Sequence, residues 1–391
     1  MITFEEAYDT VLKETRETAT ESIPFTDSCN RILAEDVASD IDMPPFNRSA
    51  VDGFACHSED IINQLEVVET VAAGRVPACN VGKNQCSKVM TGAIVPDGCD
   101  IVVMVEDAMT LSDGMIKFSI NDLKPNISLR GEDVHTGDIV LRKGKCILPQ
   151  DIAVLASVGH TEVLVRCKPL VGIISTGDEL VHPSMFPALS QIRNSNAYQL
   201  QAQVARAGGI AVDYGIAPDN EEATYELICK AVTGCDLLLI TGGVSMGDFD
   251  FVPAVLERAG VKILFDKVKV QPGKPTTFGV HSDAVIFGLP GNPVSSFIQF
   301  EMLVRPLMNR MTGSNWKPLT ISLPMAVDYT RKSTSRKALI PVLINDRKEV
   351  VPVDYHGSAH ISSLSCADGI IVLEIVTGSL RKGEIVDVRQ I

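Results

Sequence analysis

Between residues 168 and 312, strand-like and helix-like runs alternate, and this alternation restricts the fold more than any other feature of the chain. Apolar β-type runs at 170–174, 210–216, 236–240, 261–265 and 284–288 are separated by helical spacing at 197–207, 221–232 and 252–259, and a last helical stretch covers 294–311. Such a pattern predicts a mostly parallel sheet with helices on both faces. Local signals agree. Asn292 stands where a helix cap is favoured, with Pro293 at the first helical position, and Gly208 follows the helix that begins near Asn196.

The flanks read differently. Thr3 and Glu6 have capping-box spacing, and Phe4, Tyr8, Val11 and Leu12 share a face, so the chain opens on a helix. From about 50 to 135 the runs are short and β-like, at 67–71, 88–90, 101–105 and 115–118, with Gly and Asp turns between them. A helix near 150–157 follows. After Pro318, short strands return at 319–323, 339–344, 349–353, 369–375 and 384–388. The expected architecture is therefore multidomain α/β plus β. An N-terminal α/β domain (1–45 and 136–167) carries a small inserted β domain (46–135). A central three-layer α/β domain (168–315) and a C-terminal β-barrel domain (316–391) follow. A length of 391 residues suits roughly two to four domains.

Charge narrows the function. The formal net charge is −14, with no run of basic residues longer than Arg142-Lys143, which argues against nucleic acid as a partner. The ten cysteines form no C-x-x-C pair and read as free thiols of a reducing compartment. No apolar run approaches the ~20 residues of a membrane span. The acidic, amphipathic start is unlike a signal peptide, so a cytoplasmic protein with no membrane association is expected.

Chemistry is expected at the carboxyl ends of the parallel strands, where open α/β sheets bind ligands. Three strand ends run into loops rich in Gly, Ser and Thr. These are Ser175-Thr176-Gly177-Asp178-Glu179, Thr241-Gly242-Gly243-Val244-Ser245-Met246-Gly247-Asp248 and Leu289-Pro290-Gly291-Asn292-Pro293-Val294-Ser295-Ser296. Glycines let backbone amides approach a phosphate, hydroxyls add donors, and the helix start after Asn292 adds partial positive charge. Any one of these loops also fits a plain tight connection, since Gly and Pro punctuate most of them. Val270-Gln271-Pro272-Gly273-Lys274-Pro275 offers a cation on a stiff turn. Asp178, Glu179, Asp219, Asp248 and Asp250 stand near these loops, and carboxylates beside phosphate call for Mg²⁺ between them. Asp250 fits a helix cap and a metal ligand equally well. No Walker A or G-x-G-x-x-G pattern is present, which disfavours an ATPase or an NAD enzyme.

These loops, with Phe46-Asn47-Arg48-Ser49-Ala50-Val51-Asp52-Gly53-Phe54-Ala55, Met90-Thr91-Gly92-Ala93 and Arg130-Gly131-Glu132-Asp133-Val134, resemble the MoeA family of molybdopterin molybdenumtransferases, related to the E domain of gephyrin. The resemblance spans nearly the whole chain. It implies a MogA-like central domain, four structural domains and an elongated homodimer, with the cleft between the α/β domain of one subunit and the N-terminal domains of the other. It implies Mg²⁺-dependent insertion of molybdate into adenylated molybdopterin with release of AMP. An upstream molybdopterin adenylyltransferase and downstream cofactor-accepting proteins are the implied partners. The implied catalytic residues are Asp52, Thr91, Asp133, Glu179 and Asp219. Gly242, Gly243, Ser245, Gly247, Lys274, Gly291, Asn292, Ser295, Arg336 and Ser358 would bind substrate, and Glu179 and Asp250 the metal. Gln271 stands where many relatives have Lys, Asn194 where Asp is commoner, and Val51 where Met is usual. A pyrophosphatase or adenylyltransferase sharing the central domain, and a non-catalytic carrier or scaffold, are the alternatives.

Overall fold

A computed structural model describes residues 1–119, 124–243, 252–354, 357 and 360–391. The chain forms two compact units. One comprises residues 1–35, 143–148 and 162–391, the other 36–142 and 149–161. This division differs from the sequence-based one, because the first 35 residues pack with the α/β unit.

The alternating region folds into a six-stranded sheet. Its elements are β1 (Leu170–Thr176), α1 (Asn196–Arg206), β2 (Ile210–Ala217), α2 (Glu221–Val232), β3 (Leu237–Thr241), α3 (Val252–Arg258), β4 (Lys262–Phe265), β5 (Thr277–Val280), β6 (Val285–Leu289), α4 (Pro293–Gln299) and α5 (Arg305–Met311). The order is β2-β1-β3-β6-β5-β4. The first four strands are parallel, and β5 and β4 are antiparallel. Strand β5 is not announced by apolar patterning, since Pro272, Gly273 and Pro275 dominate its approach. It turns the run at 261–265 into an antiparallel edge.

Side chains of the central strands divide by the period of two. Leu237, Leu239, Val285 and Phe287 pack on one face with α1, α4 and α5, and Leu238, Ile240 and Ile286 on the other with α2 and α3. That is the three-layer arrangement. The N-terminal helix Phe4–Lys13, held by a complete Thr3–Glu6 capping box, adds Ala7 and Val11 to the first face. Strand Thr20–Pro24 pairs antiparallel with Glu162–Arg166.

The C-terminal region, where a barrel is expected, carries a six-stranded sheet among the described residues. Its path runs Val270–Gln271, Lys337–Ile344, Gly369–Leu373, Ile385–Gln390, Thr320–Pro324, with Val350–Pro352 paired to Lys337–Ile344 and an isolated parallel bridge from Met325 to Val350. One end of the path is the two-residue strand Val270–Gln271. That end has a consequence for the site. Val270 and Gln271 pair in parallel with Lys337 and Ala338, so the loop carrying Lys274 is stitched to the strand that follows Arg336.

In the second unit a mixed six-stranded sheet runs Ile101–Met104, Gly53–Cys56, Gln85–Val89, Gln64–Val71, Ile116–Phe118, Ala108–Thr110. Gly53 opens an interior strand rather than a turn, and a Cβ there would stand 2.2 Å from the Val103 carbonyl oxygen. The helix of this unit is Pro149–Ser157. No helix among the described residues is long and apolar enough to cross a membrane.

Candidate functional site

Register brings the three Gly-rich strand ends together. Ser175 of β1 lies beside Thr241 of β3, and Thr241 beside Leu289 of β6. The chain moves from β1 out to β2 and returns to β3 on the other side, so the crevice beyond β1 and β3 is a topological switch point, where such sheets bind ligands. A cavity of about 710 Å³ opens there, lined by Thr176, Gly177, Glu179, Asn194, Asn196, Asp219, Gly242, Gly243, Gly291 and Asn292 among others. Its size suits an organic ligand rather than an ion alone.

Backbone shape explains the glycines. Gly242 has φ +95° and Gly243 φ +64°, a region that side chains disfavour. A Cβ on Gly242 would stand 2.7 Å from both the carbonyl oxygen and Oγ1 of Thr176. Gly177 has φ +136°, and a Cβ there would collide with the Glu179 carboxylate, which folds back over it. The floor is polar. Asn196 Nδ2 donates to Thr241 Oγ1 and to the Gly291 carbonyl, both at 2.8 Å, tying β3 to the loop after β6. Asn196 Oδ1 and Thr176 Oγ1 are buried without a protein partner. Buried polar groups rarely stay unpaired, so these are acceptor and donor capacity available to water or ligand.

The loop after β1 is latched to the loop after β2. Asp219 N–H donates to Asp178 Oδ1 at 3.0 Å, and Asp178 N–H to Asp219 Oδ2 at 3.4 Å. Each carboxylate steadies the other's backbone, and Glu179 and Asp219 both border the cavity. Among the described residues no group of three or more His, Cys, Asp and Glu is poised around a metal. Mg²⁺ needs fewer, because one or two carboxylates suffice when substrate phosphates and waters complete its octahedron. Glu179 stands at the cavity rim as one such carboxylate.

Lys274, Ser295 and Arg336 do not line this cavity. Lys274 is exposed and Ser295 is buried. The Gln271-Pro272 bond is cis, and Gly273 presses on Gln299, whose Nε2 donates to the Pro272 carbonyl at 3.0 Å. Arg336 donates to the Val270 carbonyl at 3.3 Å and reaches Gln271 Oε1 at 3.5 Å. The Gln271 side chain therefore faces a guanidinium. Asn292 occupies the cap position of α4, yet its side chain makes no capping bond. At α1 the capping bond comes from Asn194, whose Oδ1 accepts from Ala197 N–H at 3.2 Å.

Asp52, Thr91 and Asp133 lie in the other compact unit. Asp52 Oδ1 accepts from Thr91 N–H at 2.6 Å and from Thr91 Oγ1 at 2.7 Å. Those bonds, the backbone one foremost, hold the Asp52 carboxyl below the usual carboxylate range. Asp133 is exposed, and its backbone N–H donates to the Met43 carbonyl at 3.0 Å. Ser245, Gly247, Asp250 and Ser358, with Asp248, lie outside the described residues. Asn194 and Asn196 join the site without having been expected there, and Thr176 joins it from a loop where ligand binding was expected. The sequence marks Asn196 only as the start of a helix, and its bonds to Thr241 and Gly291 reveal the floor it forms.

Comparison with known proteins shows the family. Residues 2–159 match the MoeA N-terminal region (domain I and II), 172–310 a probable molybdopterin binding domain, and 323–391 the MoeA C-terminal region (domain IV). A protein of Staphylococcus epidermidis named molybdopterin molybdenumtransferase is 36% identical over 99% of this chain and 95% of its own length. A Bacillus subtilis protein of the same name is 33% identical over 99% and 93%. The solved molybdopterin biosynthesis moeA protein of Pyrococcus horikoshii superimposes with a TM-score of 0.87 at 31% identity, covering 100% of both chains. Matched from end to end in sequence and in fold, the chain belongs to the MoeA family.

Proposed function

We propose that this chain is a molybdopterin molybdenumtransferase that inserts molybdate into adenylated molybdopterin and releases AMP. The observation that carries this reading is the cavity at the switch point. Its rim of glycines lets a phosphate or pyrophosphate approach the backbone closely, and Glu179 and Asp219 stand at the same rim.

Gly242, Gly243, Gly291 and Asn292 hold the phosphate end of the substrate, with Ser245 and Gly247 assigned to the same loop. Asn196 and Thr176 supply the unpaired polar atoms that orient its polar part. Glu179 and Asp250 would hold Mg²⁺, which when bound would neutralise charge on the phosphoanhydride. Asp219 fixes the loop that carries Asp178 and Glu179. Molybdate, a tetrahedral dianion, is received by Lys274, Ser295, Arg336 and Ser358 through charge-assisted hydrogen bonds. The strand pairing of Val270–Gln271 with Lys337 and Ala338 supports grouping Lys274 with Arg336. The two dithiolene thiols of the substrate then bind molybdenum through sulfur, as suits a soft ligand pair, and one molybdate oxygen leaves as water with their two protons. Asp52, Thr91 and Asp133 are assigned to the same reaction as residues that the second copy of a homodimer contributes. The working compartment is the cytoplasm, between an upstream adenylyltransferase and downstream cofactor-accepting proteins.

The test is incubation with adenylated molybdopterin, molybdate and Mg²⁺, following AMP release and reconstitution of an apo-molybdoenzyme together. Both are expected, and both are expected to vanish in Glu179→Ala. Tight binding with neither product would turn the reading to a carrier or scaffold. AMP release without reconstitution would turn it to a pyrophosphatase.

A further inference from the structure

A second cavity, of about 640 Å³, lies in the same compact unit and shares no lining residue with the first. Arg31, Lys145, Arg166, Lys168, Arg206 and Arg305 line it, and no Asp or Glu does. In a chain of net charge −14, that is a local reversal of sign. The balancing carboxylates sit off the cavity wall. Glu21 pairs with Arg31 and Glu17 with Arg166. Glu301, 1% exposed, is shared by Arg206 and Arg305, so one carboxylate answers two guanidinium groups. Lys168 is exposed and has no ion pair among the described residues. The carbonyl end of α1, at 205–208, also borders the cavity. A helix end carries only about half a negative charge, which is less than the excess on Arg206, Arg305 and Lys168.

The wall is built in advance of any ligand. Glu301 lies in a widened π turn, Phe300–Val304, between α4 and α5. Gln203 Nε2 donates to it at 2.7 Å and Arg305 NH1 at 2.9 Å. Arg166 NH1 donates to the Thr18 carbonyl and Arg31 NH2 to the Arg166 carbonyl, both at 2.8 Å. Each guanidinium has five N–H donors, so donors remain after these bonds. Guanidinium groups held in place lose little side-chain freedom when a ligand arrives. The Arg305 guanidinium also lies 4.7 Å from the ring centre of Trp316, which borders the cavity.

We propose that this cavity binds a phosphate-bearing small molecule, at a site separate from the catalytic one. Guanidinium forks match phosphate oxygens, and a dianion uses more of the donors than a monocarboxylate would. Helix α1 spans the two sites. Residues 194–196 at its start border the first cavity and 205–208 at its end the second, roughly 16 Å apart along an 11-residue helix.

Trp316 is the single tryptophan of the chain, so its emission reports on this cavity alone. The experiment titrates the full-length protein with inorganic phosphate and then AMP at fixed ionic strength, with acetate as the control anion. A saturable change in Trp316 emission is expected for phosphate or AMP and not for acetate. Affinity should fall roughly tenfold in Lys168→Gln, as for loss of one hydrogen bond to a charged group. The Glu179→Gln variant should retain the signal, which separates this cavity from the catalytic one. Tighter binding of AMP than of phosphate would add the ring contact to the site. No saturable change, an equal response to acetate, an unaltered affinity in Lys168→Gln, or a signal that follows protein concentration alone would overturn the proposal.

Discussion

Gly242 shows how a single residue is tied to function here. Its φ of +95° and the 2.7 Å approach to Thr176 leave no room for a methyl group. Gly242→Ala is expected to cost about 1–3 kcal/mol of stability and to abolish turnover, read by thermal unfolding and by AMP release. Asp42 makes a different prediction. It accepts from Thr136 N–H at 2.9 Å and Oγ1 at 3.0 Å, and from Arg130 Nε at 2.7 Å. The Thr136 backbone bond foremost, then Arg130, lowers its pKa from 3.8 to about 2. A depressed carboxyl contributes stability above its unfolded pKa and loses it as pH falls through the folded one. The stability difference between wild type and Asp42→Asn should therefore be full above about pH 4 and fade towards pH 2, measured by denaturant titration across that range. The same contacts explain a motif. Arg130-Gly131-Glu132-Asp133-Val134 is recognisable in sequence, yet only the structure shows that Arg130 anchors its loop while Asp133 is exposed. Glu179, Asp219 and Gly242 were named from the sequence and line the cavity, whereas Asn196 was not named, because its place there depends on a strand register that one sequence does not display.

Elements explain what patterning could and could not reach. Strands β1, β3 and β6 were legible as apolar runs ending in glycines, since burial on both faces makes them continuous. Strand Gly53–Cys56 was hidden, because its first residue looks like a turn glycine and is in fact a close-packing one. The two-residue strand Val270–Gln271 was also hidden, being too short for any periodicity, although it joins the Lys274 loop to the C-terminal sheet. This pairing makes Gln271 worth testing. Gln271→Lys would place a second cation beside Arg336, which lies 3.5 Å from the present amide oxygen. The KM for molybdate should fall several-fold with kcat little changed, because the added charge serves oxyanion binding. The π turn gives an element-scale stability prediction. Glu301→Ala leaves Arg305, which is largely buried, with its ion pair removed. A cost of up to ~3 kcal/mol is expected, towards the low end for buried pairs because Arg206 is 43% exposed. Urea unfolding would measure it.

At the scale of the whole molecule, the two faces of the α/β sheet are covered from different places. The face packed by α2 and α3 is assembled entirely from residues 170–286. The opposite face also receives Ala7 and Val11 from the N-terminal helix and Leu339 and Ile370 from the C-terminal sheet. Sequence patterning identifies a self-contained run at 168–315, but it cannot show that segments hundreds of residues apart complete one side of its core. A fragment of residues 168–315 should keep one finished face and expose part of the other. Each large apolar side chain left uncovered forfeits roughly 1.5–3 kcal/mol, and the bared patch should drive self-association. Circular dichroism of the fragment is expected to show helix and strand, with cooperative unfolding at a lower temperature than the full chain. Sedimentation should show association that increases with concentration. A monomeric fragment as stable as the full chain would mean that the N-terminal helix and the C-terminal sheet decorate the α/β core. The predicted loss means that they complete it, so that the cavity at the strand ends stands on a scaffold which neither end of the chain can leave without loosening.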